Sequence, residues 1–432
     1  MREKIIEMLT KTSGVNDWRL LHLKSREHQL YLICGTTENL REVSTEKYIL
    51  TIYNDHQSQR GMSDLTILPD DSETAIDKKI KEAVFKARLV NNPPFTLPMK
   101  QKYHKIPLVD SEILHHPQRA IEKLKKKLLK VIENKKVKLA SAEFFLKYTE
   151  AEIENSQDIK GKSSGTNLFF DFVLLSKEEN KESENHSEGE YRGIKDFPIE
   201  KLVARKIQYT LDSLKVVTPK SGKFTVVIAE EALLELFEPL IFHTSGFALF
   251  KKMSRFKKGE SIYKDGKIYG EPLSFVSNGL LPYGTKSTPY NADGLAQQRI
   301  EIIKDGILQE IMATKQYADY LGIEPTGVFA NLEIANGVNS VDELCRYQSK
   351  PLYLVVAFSS LEADRFTGNF AGEIRLGYEI TKRERKPVKG GSVSGNLFEA
   401  LSNAYFSKEK IFLGDYLGPQ AIRFEKLTIS GS

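Results

Sequence analysis

Two side chains that could hold a metal ion lie five residues apart, Glu238 and His243, in the stretch EPLIFH. A carboxylate oxygen and an imidazole nitrogen are both common zinc ligands. On an ideal helix, five residues turn about 500°, which leaves the two side chains about 140° apart, so an undistorted helix would not aim both at one ion. Pro239 lies between them and predicts a kink there, because it removes a backbone donor. The pair is therefore either a weak metal site or a solvated glutamate beside a core histidine.

The residues around this pair favour the second interpretation. A β-branched run at 225–228 predicts a buried strand, and the apolar residues of 233–241 then recur at helical spacing. This predicts an amphipathic helix after the strand, with Glu238 on its polar face and His243 on its apolar stripe.

Two glycine-rich segments could also carry function. TGNFAGEIRLGYEI, residues 367–380, places Asn369, Phe370, Ala371 and Gly372 at the start of a strand, where small residues permit either close approach of a peptide backbone or a β-bulge. GGSVSGNLFEAL, residues 390–401, could cap a helix and hold an anion, but without a lysine it is a weak phosphate motif.

The composition excludes several classes of protein. The chain has 432 residues, 40% hydrophobic and 28% charged, with a net charge of only +5 and no motif of a nucleic-acid-binding domain. No apolar run is long enough to span a membrane, and no signal peptide is visible, which predicts a cytoplasmic protein. Cys34 and Cys345 form no CxxC pair, which argues against a disulfide framework or a cysteine-rich zinc site.

Hydrophobic periodicity predicts an α+β protein of two domains. Residues 1–210 are expected to form a mixed α/β domain, and residues 211–432 a β-rich domain with antiparallel sheet and short helices. In the second domain, Asp305 and Gly306 predict a tight hairpin turn between two strands.

One tract of the first domain looks unable to fold. Residues 177–190, KEENKESENHSEGE, are polar and acidic, and they offer too little apolar surface to offset the cost of ordering them. We expect a mobile loop there that could be replaced by a short turn without loss of stability.

Several motifs in a fixed order resemble the TldD/PmbA family, also called modulators of DNA gyrase. They are AVFKARLVNNPP, the strand and helix at 224–256, the Asp-Gly hairpin, TGNFAGEIRLGYEI, PVKGGSVSGNLFEAL and GPQAIRFEKLTISG. The resemblance spans nearly the whole chain and is strongest in its C-terminal half.

The resemblance implies two types of subunit. TldD-type members carry HExxxH and a later cysteine that bind zinc in a peptidase, whereas PmbA-type members, also called TldE, lack these ligands and pair with the TldD type. Aligned to that motif, Glu238 replaces the first histidine, Pro239 the general-base glutamate and Ala371 the cysteine, and only His243 is retained. Zinc hydrolysis needs three protein ligands and a base, which these residues do not supply.

The resemblance therefore implies a non-catalytic PmbA/TldE-type subunit that helps to bind and process unfolded peptides, with a cleft at residues 369–372. No cofactor is expected in this chain, and zinc is expected in a TldD-type HExxxH partner. The chain is expected to form either a heterodimer with that partner or a homodimer. Two alternatives stay open: a stand-alone metallopeptidase with an unusual metal site at Glu238 and His243, and a regulator associated with DNA gyrase.

Overall fold

The computed structural model describes residues 1–133, 135–263 and 266–431. The helices are α1 (Arg2–Lys11), α2 (Glu73–Ala87), α3 (Ser111–His115), α4 (Pro117–Ile132), α5 (Ile199–Asp212), α6 (Glu238–His243), α7 (Gly246–Phe250), α8 (Lys315–Leu321), α9 (Val341–Leu344) and α10 (Leu397–Ala400). The strands of the N-terminal half are β1 (Asp17–Ile33), β2 (Thr36–His56), β3 (Gln59–Ile67), β4 (Lys138–Asn155), β5 (Lys160–Glu178) and β6 (Lys181–Tyr191).

The strands of the C-terminal half are shorter. They are β7 (Gly222–Ala229), β8 (Phe275–Asn278), β9 (Arg299–Lys304), β10 (Ile307–Leu308), β11 (Asn331–Ile334), β12 (Leu352–Ala363), β13 (Asn369–Ile380), β14 (Arg385–Val388), β15 (Ser392–Asn396), β16 (Ala404–Phe406), β17 (Lys410–Leu413), β18 (Tyr416–Pro419) and β19 (Ala421–Ser430).

An antiparallel sheet of order β3-β2-β1-β4-β5-β6 organises the N-terminal half. Its apolar face packs on α4 and α5, with Leu124, Phe144, Phe172 and Val203 buried between them. The alternation of large apolar and polar residues along β4 and β5 produces this arrangement, because successive side chains of a strand point to opposite faces.

The tract at 177–190 is not a mobile loop, and that prediction is wrong. β5 continues to Glu178, a two-residue turn follows, and β6 pairs with β5 from Lys181 opposite Glu178 to Tyr191 opposite Leu168. Ser183, Asn185 and Ser187 are buried on the face that β6 turns toward α5.

Small polar side chains explain the error. They let α5 approach β6 closely while adding almost no apolar signal to the sequence. The hydroxyl of Ser183 donates a hydrogen bond of 2.6 Å to the carbonyl of Thr210 in α5. Backbone pairing and this polar contact order the tract, so its stabilisation depends on neighbours that its own composition does not reveal.

In the C-terminal half, the strand order β12-β7-β19-β15-β13 closes into a ring, because β12 also pairs with β13. A second sheet, β10-β9-β8-β11-β18-β17, shares one large apolar core with this ring. The predicted Asp-Gly hairpin is confirmed: Asp305 and Gly306 have φ values of 48° and 78° and join β9 to β10. The α+β fold class, with its β-rich C-terminal half, is likewise confirmed.

Arg192 connects the two halves. Its guanidinium donates hydrogen bonds to the carbonyls of Gly284, Thr285 and Ser287 in the loop after β8, at 2.6–3.0 Å, and to Thr166 at 3.3 Å. Burial lowers the pKa of Arg192 from its usual value. One side chain thereby holds a loop that has no strand or helix of its own against the N-terminal sheet.

In the described residues, no helix combines the length and the apolar character needed to cross a bilayer.

Candidate functional site

The segment after β7 forms two short helices in place of the one predicted. A 3₁₀ helix covers Glu230–Phe237, and α6 begins at Glu238, one residue before Pro239. Pro239 is therefore in the first turn of α6. Backbone N–H groups in a first turn have no intrahelical partner, so the missing N–H of proline costs no hydrogen bond there. The predicted change in chain direction at this proline is present, because a new helix begins there.

His243 is buried, with 2% of its surface exposed, and both ring nitrogens have protein partners. Nε2 donates to the carbonyl of Phe366 at 2.9 Å, and Nδ1 accepts from the backbone N–H of Arg255 at 3.2 Å. These roles are those of the neutral Nε2–H imidazole. In this state Nε2 carries a proton, and the single available lone pair, on Nδ1, accepts the hydrogen bond from Arg255.

Aromatic rings surround the same imidazole. The ring centroids of Phe242, Phe256 and Phe398 lie 5.3–5.7 Å from that of His243 in edge-to-face contacts. Burial lowers the pKa of His243 below its usual value near 6.5. The histidine therefore joins α6 to the β12–β13 turn and to α10 as part of the core, as its place on the apolar stripe predicts.

Glu238 and Pro239 behave differently from the histidine. Glu238 is exposed, and Pro239 is buried. The exposed Glu238 and the buried His243 thus lie on different sides of α6, as the predicted polar face and apolar stripe require.

Residues 369–372 lie at the start of β13. Asn369 and Ala371 are exposed, whereas Phe370 and Gly372 are buried. Ala371 pairs with Glu362 of β12 on one side and with Ser394 of β15 on the other. A methyl group at this position cannot coordinate a metal, and both strand edges beside it are already occupied.

Within the described residues, three side chains with metal-binding atoms do come together elsewhere: Asp171, His186 and Glu188, on β5 and β6. Nε2 of His186 lies 2.6 Å from a carboxylate oxygen of Asp171. His186 and Glu188 are exposed, and such acidic groups commonly occur without a metal.

Replacing His243 with alanine should destabilise the protein by about 3 kcal/mol, because the change opens a cavity and leaves the Phe366 carbonyl and the Arg255 N–H without partners. His243→Gln, which can still donate to Phe366, should cost less. Urea unfolding of both variants at pH 7.5 measures this, and a cost below 0.5 kcal/mol for His243→Ala would contradict the structural role.

The same variant should change the pH dependence of stability. His243 is held neutral in the folded state, so its contribution is complete above the unfolded pKa of about 6.5 and declines as the pH falls below that value. The stability difference between wild type and His243→Ala should therefore narrow between pH 7.5 and pH 5.5.

Comparison with known proteins places this geometry in a family. The sequence profile of the PmbA/TldA metallopeptidase C-terminal domain matches residues 221–431, which include α6 and residues 369–372. The chain is a member of the TldD/PmbA family. Its fold is that of TldE from Thermococcus kodakarensis, with a TM-score of 0.84 at 21% identity over all of both chains.

Other relatives agree with this assignment. The TldD/PmbA protein is 27% identical to a zinc metalloprotease TldD homolog of Saccharolobus solfataricus over 48% of each chain, and 23% identical to metalloprotease PmbA of Escherichia coli O157:H7 over 85% of this chain and 82% of that one. It spans about half the length of the first curated relatives that it matches. A candidate modulator of DNA gyrase from Bacteroides thetaiotaomicron has a TM-score of 0.85 at 18% identity, over all of this chain and 98% of that one.

Sequence reasoning missed a charged cluster that fixes the 3₁₀ helix of this TldD/PmbA protein. Arg205 pairs with Glu230 at 2.9 Å, Lys206 pairs with Glu231, and the hydroxyl of Tyr209 donates to Glu230 at 3.2 Å. Burial raises the pKa of Glu230, which also has a left-handed φ of 60°. The charges at 205–206 and 230–231 are visible in the sequence, but only the fold brings α5 beside them.

Proposed function

We propose that this TldD/PmbA protein is a non-catalytic subunit of the PmbA/TldE type, which helps a homologue with HExxxH to bind and process unfolded peptides. The observation that carries the proposal is the state of His243, the one motif ligand retained, whose two nitrogens are both engaged by the backbone. Glu238 is exposed, and Pro239 and Ala371 have no side-chain donor atom, so these residues do not fit a zinc ion and a catalytic water.

The proposed contribution of this subunit is to hold peptide. The exposed residues of 369–372 follow a turn that Asp364 orders, since its carboxylate accepts from the N–H groups of Phe366 and Thr367 at 2.7–2.9 Å. An ordered turn beside small side chains lowers the entropic cost of binding an extended chain.

Purified alone, the protein should carry far less than one zinc ion per chain. A binding pair of Glu238 and His243 would require His243 to give up a buried hydrogen bond, and two ligands alone hold zinc weakly. Elemental analysis after dialysis measures this, with His243→Gln as the matched control. Zinc near one equivalent that resists chelator in wild type and is lost in the variant would contradict the prediction.

The proposed function is tested by mixing the protein with its HExxxH homologue. Neither this chain alone nor this chain with added zinc should cleave an unstructured peptide, whereas the mixture should, with turnover abolished by substituting the histidines of the homologue. In the mixture, His243→Gln should leave turnover within about twofold, provided that the variant is folded at the assay temperature.

A stand-alone peptidase is the second candidate, because a relative covering 85% of this chain is named metalloprotease PmbA. It predicts zinc-dependent cleavage by this chain alone that His243→Gln abolishes. That result would replace the proposed function.

A further inference from the structure

A groove of about 530 Å³ separates the N-terminal sheet from the C-terminal half. β6 forms one wall, and the other is formed by the 3₁₀ helix Glu230–Phe237 with residues 357–361 of β12. β6 is the terminal strand of its sheet, so the edge away from β5 has no strand paired with it in the described residues. Backbone groups along such an edge are a template for another extended chain.

Two buried side chains in this groove have polar atoms without partners. Asn185 and Ser187 line it with 3% and 4% of their surfaces exposed, and Oδ1 of Asn185 and Oγ of Ser187 make no hydrogen bond to any residue that the structure describes. Buried polar atoms are nearly always satisfied in folded proteins, so each of these is available to accept a hydrogen bond from a bound group. The two atoms belong to the same strand whose edge is free.

The charge of the groove restricts what can bind. Glu188, Glu190 and Glu235 are exposed there, whereas its cations are already paired, Lys206 with Glu231 and Arg375 with Glu184 at 3.3 Å. The unpaired charge is therefore negative. A chain with basic side chains would complement it, and an acidic chain would be repelled.

We propose that the groove binds an extended peptide with basic side chains, which adds to the free edge of β6 as a further antiparallel or parallel strand. The lining part of β6, residues 185–190, spans about 20 Å and accommodates about six peptide residues. Leu361, which lines the groove, pairs with Gly372. The groove therefore adjoins the segment 369–372 named in the proposed function, and the choice of a peptide as ligand rests on that function.

Fluorescence anisotropy with the full chain alone tests the site, using labelled twelve-residue peptides of alternating Thr-Lys and of alternating Thr-Glu. The Thr-Lys peptide should bind at least tenfold more tightly. Two further Thr-Lys peptides carry N-methyl groups on the odd or on the even backbone nitrogens. One of the two should bind at least tenfold more weakly, because strand pairing needs the N–H groups that point toward β6. Equal binding of all these peptides, or no saturable binding, would overturn the proposal.

The variant Glu188→Lys/Glu190→Lys should weaken binding of the Thr-Lys peptide at least tenfold and strengthen binding of the Thr-Glu peptide. Glu182→Lys is the matched control, since Glu182 is an exposed residue of the same strand outside this groove, and it should change affinity less than twofold. Hydrogen exchange should show protection of residues 185–190 on binding. Protection confined to residues 369–372, or equal effects of the two variants, would overturn the site.

These measurements need no partner, so they separate this inference from the proposed function. Binding at β6 without cleavage in the mixture would refute the proposed function alone. Cleavage in the mixture that the double variant leaves unchanged, together with no binding at β6, would refute the groove alone.

Discussion

Replacing residues 177–190 with a short Gly-Ser turn should destabilise the protein by more than about 5 kcal/mol and lower its melting temperature by more than about 10 °C. The replacement removes nearly all of β6, an eleven-residue strand, with its backbone pairing to β5 and the hydrogen bond from Ser183 to Thr210. It also uncovers the edge of β5, which carries the buried Phe170 and Phe172.

The matched control changes only the turn. Glu179 already has a left-handed φ of 52°, so substituting Gly-Gly for Glu179 and Asn180 should change stability by less than about 1 kcal/mol. Thermal unfolding followed by far-ultraviolet circular dichroism compares the two variants with wild type. Equal melting temperatures for wild type and the fourteen-residue replacement would show that β6 contributes nothing to stability.

Arg192→Met should cost about 3 kcal/mol. The substitution keeps an apolar stem of similar length but removes the donors for the carbonyls of Gly284, Thr285, Ser287 and Thr166, and hydrogen bonds from charged groups are among the stronger ones in proteins. Arg192→Lys should have an intermediate cost, because an ammonium group cannot reach all these carbonyls from one position.

Loss of the Arg192 hydrogen bonds should also be visible in hydrogen exchange. Hydrogen exchange should rise in residues 281–288, which Arg192 holds against the N-terminal sheet. Arg299→Met provides the control, since the Arg299 side chain is 54% exposed and its ion pair with Glu333 should be worth less than about 1 kcal/mol. If the two methionine variants unfold at the same urea concentration, the hydrogen bonds of Arg192 contribute no more to stability than the ion pair of Arg299.

The fold could be predicted from the sequence wherever periodicity and turn chemistry agreed. The α+β class, the Asp305-Gly306 hairpin and the change of course at Pro239 follow from residue types alone, because each depends on local backbone preference. The unbroken course of β4 through Lys138–Asn155 was not visible, since polar residues interrupt the apolar pattern along this strand.

For the candidate site, too, the sequence allowed some predictions, and others needed the tertiary structure. The sequence by itself determined that Pro239 and Ala371 offer a metal no side-chain donor atom in any conformation, and it placed His243 on the apolar stripe of its helix. Only the tertiary structure decided that both nitrogens of His243 are occupied, since Phe366 lies 123 residues away along the chain. It also decided that the acidic tract is a strand and that its free edge borders a groove, because the stability of a strand depends on the neighbours with which its backbone pairs.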